Sequence, residues 1–154
     1  MRTNSILIVD DDEKLCALLR SYFEQERFMV YVAYDGMTAL HTLRTQKPQI
    51  MLLDLMMPGM DGFEVCRRIR QFSDIPIIFL SAKDDETDRL VGLNMGGDDY
   101  VTKPFHVKEV IARVYSLLRR TRGEVLQQTT SYAIRDLTID KEKFTVLRGQ
   151  QPIA

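Results

Sequence analysis

The chain has 154 residues, of which 45% are apolar and 28% charged, and its formal net charge is −1. This composition is typical of a globular protein and excludes a low-complexity or disordered chain. No apolar run approaches the length that spans a membrane, and residues 1–9 lack the apolar core of a signal peptide. We therefore expect a cytoplasmic protein without membrane contact, built from one domain and the beginning of a second.

Charge is spread unevenly along the chain. Residues 1–118 hold 14 Lys and Arg against 18 Asp and Glu, whereas residues 119–154 hold 7 against 4. An acidic body followed by a basic tail indicates two structural units. The two cysteines, Cys16 and Cys66, lie in helix-like patterns without CxxC spacing, so we predict thiols with no disulfide or metal role.

Apolar strands alternate with amphipathic helices along the chain. Unbroken apolar runs predict five strands at Ile6–Val9, Phe28–Tyr34, Ile50–Leu53, Ile77–Leu80 and Tyr100–Val101. Helical spacing of apolar residues predicts five helices: Leu15 to Phe23, Gly36–Arg44, Gly62 to Ile69, Leu90 to Leu93, and Val107–Arg119. In the third helix, Arg67, Arg68 and Arg70 are expected to face solvent. The alternation predicts a doubly wound parallel α/β sheet.

Polar side chains stand at the ends of four of these strands. In an open α/β sheet the carboxyl ends of parallel strands lie along one edge, where ligands bind. The residues gathered there are Asp10, Asp11, Asp54, Ser81 and Lys103. A helix N-terminus favours one capping carboxylate, but three consecutive aspartates at 10–12 repel one another unless a cation lies among them.

Each member of this group has a chemical use. Clustered carboxylates without His or Cys favour Mg²⁺, Mn²⁺ or Ca²⁺ over zinc. A carboxylate can attack phosphorus to form an acyl phosphate, with a metal and Lys103 offsetting the phosphoryl charge and Ser81 donating a hydrogen bond. Taken singly, Asp54 is typical of the start of a loop or of a helix cap, Ser81 of a turn and Lys103 of the protein surface. Their position at successive strand ends indicates a common site instead.

Four segments resemble the receiver domain of two-component response regulators: VDDD at 9–12, DLMMPGMDG at 54–62, SAK at 81–83 and DDYVTKPF at 98–105. The resemblance covers residues 4–120 in the family's order and spacing. It implies a flavodoxin-like fold and a regulatory phosphoacceptor domain rather than an enzyme. Asp54 would be the phosphoacceptor, and a sensor histidine kinase would supply the phosphoryl group from a phosphohistidine.

The same resemblance implies a Mg²⁺ site, with Mn²⁺ as a possible substitute. Asp11 would bind the ion directly and Asp10 through water. Asp54 and the backbone carbonyl of Met56 would complete the protein ligands.

It also implies roles for residues at the last two strands. Ser81, Ala82 and Lys103 would contact the phosphoryl group. Ser81 and Tyr100 would be the switch residues that respond to phosphorylation. Pro104 would follow Lys103 through a cis peptide bond.

The run at 96–120, GGDDYVTKPFHVKEVIARVYSLLRR, is similar to the OmpR/PhoB-type winged-helix transcription factors. The resemblance implies a homodimer through the fourth helix, fifth strand and fifth helix, held by self-complementary charges. The matching charges are Arg89 with Glu109, and Asp98 or Asp99 with Arg113 or Arg120. The alternative is that these are ordinary solvated helix charges. Gly97 stands where Ala is more usual in the subclass.

The pattern breaks after Arg120, which leaves residues 1–120 as the receiver domain. Residues 121–133 are polar and aperiodic and predict a linker. Residues 134–154, with predicted strands at Ile134–Ile139 and Phe144–Leu147, resemble the N-terminal β segment of the winged-helix effector domain. No recognition helix follows, so DNA contact would need a C-terminal domain beyond this sequence. We expect a fragment of a longer regulator, with a natural truncation as the alternative.

Three other protein classes match part of the pattern. A haloacid-dehalogenase-type phosphatase needs a second Asp two residues after Asp54, where this chain has Met56. A nucleotide-binding enzyme needs a Gly-rich first loop, whereas this first strand ends in three aspartates that would repel pyrophosphate. A stand-alone receiver that acts only through protein–protein contact is the open alternative to a transcription factor.

Overall fold

The computed structural model describes residues 3–82 and 96–121, and five strands and four helices lie in these ranges. The strands are β1 (Ser5–Val9), β2 (Met29–Ala33), β3 (Ile50–Asp54), β4 (Ile77–Ser81) and β5 (Asp99–Thr102). The helices are α1 (Glu13–Gln25), α2 (Gly36–Gln46), α3 (Gly62–Ile69) and α4 (Val107–Thr121). The strands form one parallel sheet in the order β2-β1-β3-β4-β5.

Two hydrophobic clusters lie on opposite faces of this sheet. Leu7 and Val9 of β1 belong to the cluster that contains the buried side chains of α2 and α3. Ile6 and Ile8 belong to the cluster that contains those of α1 and α4. Because successive side chains of a strand point to opposite faces, the unbroken apolar runs fill both cores at once. The predicted doubly wound α/β fold is therefore confirmed.

The bounds of several elements differ from the sequence prediction. β2 begins at Met29 because Phe28 instead closes the end of α1: its amide donates to the Phe23 carbonyl at 2.9 Å, and the two rings pack 5.1 Å apart. Arg27 takes a left-handed backbone conformation, φ 67°, which turns the chain there. β3 and β4 each extend one residue further than predicted, so Asp54 and Ser81 are the last residues of their strands.

Contacts divide the chain into a unit that ends at Leu118 and a second unit of residues 119–154, of which 119–121 are described. Thr121, predicted as the first linker residue, is the last residue of α4. The rest of the linker, the predicted helix at Leu90 to Leu93 and the predicted C-terminal strands lie outside the described residues. No described helix combines the length and apolarity needed to cross a membrane.

Candidate functional site

The carboxyl ends of four strands bring the predicted site residues together. Asp10 follows β1, Asp54 ends β3, Ser81 ends β4 and Lys103 follows β5. The register is continuous at this edge, because the Leu55 amide donates to the Leu80 carbonyl at 3.1 Å and the Lys103 amide to the Ser81 carbonyl at 2.7 Å. The sheet thus fixes these positions through its backbone ladder.

The three consecutive aspartates have different environments. Asp12 is the N-cap of α1 and accepts a hydrogen bond from the Leu15 amide at 3.1 Å. Asp10 is buried, and its carboxylate accepts a bond from the Asp12 amide at 2.9 Å. Asp11 is exposed. Capping therefore uses Asp12, while Asp10 and Asp11 are left for the strand-end site.

Lys103 links the two buried carboxylates of the site. Its ammonium Nζ lies 2.8 Å from Asp10 Oδ2 and 3.3 Å from Asp54 Oδ1. Burial opposes the charged ammonium, but the hydrogen bonds and ion pairs with Asp10 and Asp54 outweigh it and raise the pKa of Lys103. Lys103 is therefore a fixed positive charge that offsets part of the negative charge of the pocket.

Asp54 is a buried carboxylate with only partial charge compensation. Burial and the negative charge of Asp10 raise its pKa, while Lys103 and a hydrogen bond from the Met56 backbone amide act in the opposite direction. The side chain of Met56 itself is exposed. An electron-rich carboxylate oxygen at this position is suited to nucleophilic attack on an electrophile that enters the open edge of the sheet.

Gly62, which the sequence indicated only as the start of a helix, holds the loop after Asp54 close to the strand. A Cβ atom at this position would lie 2.5 Å from the Asp54 carbonyl oxygen and 2.8 Å from the Leu55 Cα. The Gly62 amide donates to the Leu55 carbonyl at 3.1 Å. Only glycine allows the backbone to approach this closely. In the sequence, this close approach was indicated by the Asp-Gly pair at 61–62, in which Asp61 caps α3 and Gly62 follows it.

The donor set of the pocket fits a hard divalent cation. One carboxylate oxygen each from Asp10, Asp11 and Asp54 lies within 4.8 Å of the others. Oxygen donors of this kind suit Mg²⁺ or Mn²⁺. Cys16 is close by, with Sγ 3.3 Å from the Asp10 carbonyl oxygen, but burial and the neighbouring aspartates raise the pKa of its thiol to about 12. Hard divalent cations prefer oxygen to sulfur, so the carboxylates are the fitting donors.

A sequence profile described as "Response regulator receiver domain" matches residues 6–115. The chain belongs to the response regulator receiver family. Receiver domains are regulatory phosphoacceptor domains that are phosphorylated on an aspartate, bind Mg²⁺ through acidic residues and interact with histidine kinases. The predicted flavodoxin-like receiver fold is confirmed by this match and by the sheet order.

Solved receiver structures are similar over most of the chain. The receiver domain of the Francisella response regulator 1452 is 38% identical, with a TM-score of 0.74 over 77% of this chain and 99% of that one. The receiver domain of the TMAO respiratory system response regulator TorR is 39% identical, with a TM-score of 0.72 over 76% and 98%. The BeF3-activated N-terminal receiver domain of Klebsiella pneumoniae RstA is 33% identical, with a TM-score of 0.72 over 75% and 99%.

The residues predicted to respond to phosphorylation lie on the two strands at one side of the receiver site. Ser81 is fully buried at the end of β4, and Tyr100 of β5 is 6% exposed and packs in the cluster on the α2 and α3 face. Tyr100 lies beside Phe79 in the parallel register. Ala82 is exposed, and the peptide bond between Lys103 and Pro104 is cis.

The charges predicted for a receiver dimer face are partly paired within the chain. Arg113 binds both carboxylate oxygens of Asp99, at 2.9 and 2.8 Å, and Glu109 at 3.2 Å. Burial opposes the charged guanidinium, but these carboxylates outweigh it and raise the pKa of Arg113. Arg120 is exposed, and it has no ion pair with the described residues. Arg89 lies outside the described residues.

The prediction that Arg70 faces solvent like its neighbours is wrong. Arg67 and Arg68 are exposed and share Glu64, at 2.7 and 2.8 Å, whose pKa they lower to about 2. Arg70 is 22% exposed and reaches across to Asp98 at 3.2 Å. Its partners Gly96 and Asp98 lie 26 and 28 residues further along the chain, so no local pattern in the sequence could indicate them.

Proposed function

We propose that Asp54 accepts a phosphoryl group from a phosphohistidine of a sensor histidine kinase. The observation that supports this is the strand-end pocket, where Asp10, Asp11 and Asp54 lie together and Lys103 joins two of them. In the transfer, an Asp54 oxygen forms the new bond to phosphorus as the phosphorus–nitrogen bond breaks. The histidine nitrogen keeps that electron pair, and the product is an acyl phosphate.

The neighbouring groups would hold the transferred phosphoryl group. Asp11, Asp54 and the Met56 carbonyl would hold Mg²⁺, or Mn²⁺ in its place, directly and Asp10 through water, and the ion would supply positive charge that offsets the phosphoryl oxygens. Lys103 donates to the same oxygens as a point charge. Ser81 and Ala82, at the end of β4, complete the contacts.

The phosphoryl group would then act as a switch through Ser81 and Tyr100. A phosphorylated Asp54 gains negative charge and acceptor oxygens, which draw the Ser81 hydroxyl toward it. Tyr100 lies on the adjacent strand and fills the space that Ser81 leaves. Support for this coupling comes from the register, in which the ends of β3, β4 and β5 are neighbours.

The switch would favour a symmetric homodimer through the face that includes β5 and α4. The sequence left open which charges pair across it. Because Arg113 already binds both carboxylate oxygens of Asp99 in its own chain, we infer that Asp98 pairs with Arg120 of a second copy. Arg89 with Glu109 would be the second pair across the interface.

The downstream output would be transcription control in a longer regulator of the OmpR/PhoB type. Residues 1–120 would form the receiver domain, 121–133 the linker and 134–154 the first part of a winged-helix domain that contacts DNA. The receiver domain of RstA is N-terminal, which supports the placement of a receiver before further domains. A winged-helix sequence after codon 154 of the gene would decide against the alternative, a stand-alone receiver.

Intact mass after incubation with Mg²⁺ and acetyl phosphate tests the acceptor. We expect one added phosphoryl group on the wild type and none on Asp54→Asn, because the amide is not a nucleophile for phosphorus. Chelation of Mg²⁺ with EDTA should abolish the adduct. An adduct on a folded Asp54→Asn protein would contradict the assignment of Asp54, and no adduct on the wild type would contradict the phosphoacceptor function.

A further inference from the structure

Arg70 connects the end of α3 to the turn that precedes β5. Its Nε donates to the Gly96 carbonyl at 2.9 Å, and Nη2 donates to the same oxygen. Nη1 donates to the Ser73 carbonyl at 3.2 Å, and Nη2 also lies 3.2 Å from Asp98 Oδ2. One guanidinium therefore holds the loop after α3 and the turn at 96–98 together.

The turn is also fastened to the beginning of β4. The Asp98 amide donates to the Ile77 carbonyl at 2.8 Å, and Asp98 Oδ2 accepts from the Ile77 amide at 2.8 Å. Gly96 has φ +110°, and a Cβ atom there would lie 2.7 Å from Arg70 Nε. The guanidinium thus packs directly on the backbone of a glycine that few other residues could replace.

The contacts of Asp98 with the described residues use one carboxylate oxygen, Oδ2, and leave Oδ1 able to accept a further hydrogen bond. Both described bonds to this carboxylate go to Oδ2, and its side chain is 40% exposed. A carboxylate accepts about four hydrogen bonds, so Oδ1 has the capacity to accept a second guanidinium. Two consecutive glycines precede Asp98, and without Arg70 this segment would gain backbone freedom.

We propose that Arg70 is a positioning residue of the dimer face, which orders Asp98 before a second copy binds. This inference rests on the proposed phosphorylation-dependent dimer, in which Asp98 pairs with Arg120 of the other copy. Ordering a side chain beforehand removes a cost that association would otherwise carry. The opposite role, in which Arg70 competes with Arg120 for Asp98, is disfavoured because most N–H groups of Arg70 bind backbone carbonyls and its contact with Asp98 uses Oδ2, which leaves Oδ1 for Arg120.

Sedimentation equilibrium of the full chain with Mg²⁺ and beryllofluoride tests this role. We expect Arg70→Gln to raise the dimer dissociation constant about three- to tenfold. Arg68→Gln is the matched control, since it removes the same charge two residues earlier in the chain without touching residues 96–98, and it should leave the constant unchanged. Acetyl phosphate labelling of Asp54 should be the same in all three proteins, because Arg70 does not contact the strand-end pocket.

A double-mutant cycle separates positioning from a structural role. In an Asp98→Asn background, Arg70→Gln should have no further effect on the dimer constant, because the residue it positions is already lost. Gly96→Ala, which displaces the guanidinium, should reproduce the Arg70→Gln effect. A merely structural role would lower the urea midpoint of the monomer equally in both backgrounds and leave the dimer constant unchanged.

The measurements distinguish failure of the positioning role from failure of the proposed dimer switch. A wild type that stays monomeric with beryllofluoride overturns the dimer switch and this inference with it. A wild type that dimerises while Arg70→Gln binds as tightly, or more tightly, overturns the positioning role alone.

Discussion

Lys103 is the residue on which the charge balance of the pocket depends. Asp10 and Asp54 are 1% and 3% exposed, and a buried carboxylate that loses its partner is costly. Lys103→Gln removes the ammonium and leaves both carboxylates with less compensation. We expect the free energy of unfolding at pH 7 without divalent cations to fall by about 1–3 kcal/mol, measured by urea denaturation.

Mg²⁺ should restore part of the free energy of unfolding that Lys103→Gln loses. A bound cation replaces the missing positive charge and stabilises the native state by mass action. The gain on adding Mg²⁺ should be larger for Lys103→Gln than for the wild type. Lys108→Gln is the matched control, since Lys108 is exposed on α4. Equal stability of Lys103→Gln and the wild type in EDTA would show that Lys103 does not balance the pocket.

For individual residues, the sequence predicted which side chains the strand ends bring together. It did not predict contacts that long side chains make across a turn. Asp54 and Lys103 are 49 residues apart, yet the parallel topology places both strand ends along the same edge of the sheet. Arg70 and Asp98 are also distant in sequence, but neither stands at a ligand-binding strand end. Their contact depends on side-chain conformation across a turn, which carries no periodic signal.

The helices show which local signals determine an element. Asp12, Asp35 and Asp61 each cap a helix by accepting a bond from the amide three residues on, so the starts of α1, α2 and α3 could be predicted within a residue or two. The start of β2 was misplaced because Phe28 is as apolar as a strand residue. Its pairing with Phe23 is a tertiary contact, and this contact overrides the apolar pattern.

A contact between two helices on one face of the sheet predicts how the stability of the protein changes in alkaline solution. The Tyr115 hydroxyl of α4 donates to Glu26 Oε1, at the C-cap of α1, at 2.8 Å. Burial and this bond raise the pKa of Tyr115 from 10.0 to about 12. The folded protein therefore favours the protonated phenol, and the resulting stability is present below pH 10 and lost as the pH rises toward 12.

Tyr115→Phe keeps the ring that packs 5.7 Å from Phe28 and removes the hydroxyl. We expect it to lower the free energy of unfolding by about 0.5–1.5 kcal/mol at pH 8, with the difference from the wild type shrinking at pH 11. Urea denaturation at both pH values measures this. Tyr22→Phe, on the more exposed Tyr22 of α1, is the control. A difference that stays constant between the two pH values would contradict the role of the Tyr115 proton.

For the whole molecule, the alternation of elements predicted a doubly wound parallel sheet but not the order of its strands. Alternating strands and helices imply parallel strands with right-handed crossovers, whereas the observed order β2-β1-β3-β4-β5 depends on tertiary packing. The end of the first unit was harder to place, because α4 continues three residues past Leu118 without a break in its helical pattern. Composition indicated a change near this point, since the basic tail begins at residue 119.

A chain ended at Thr121 tests whether the receiver is a self-contained folding unit. Within residues 3–82 and 96–121, every member of both hydrophobic clusters lies at or before Leu118, as do the residues of the strand-end pocket. A unit with its own core folds without its neighbours. We therefore expect the 1–121 chain to match the 1–154 chain in urea midpoint and in acetyl phosphate labelling of Asp54. A loss of more than about 1 kcal/mol in the free energy of unfolding would mean that residues after Thr121 stabilise the receiver, since unrelated surface changes have smaller effects.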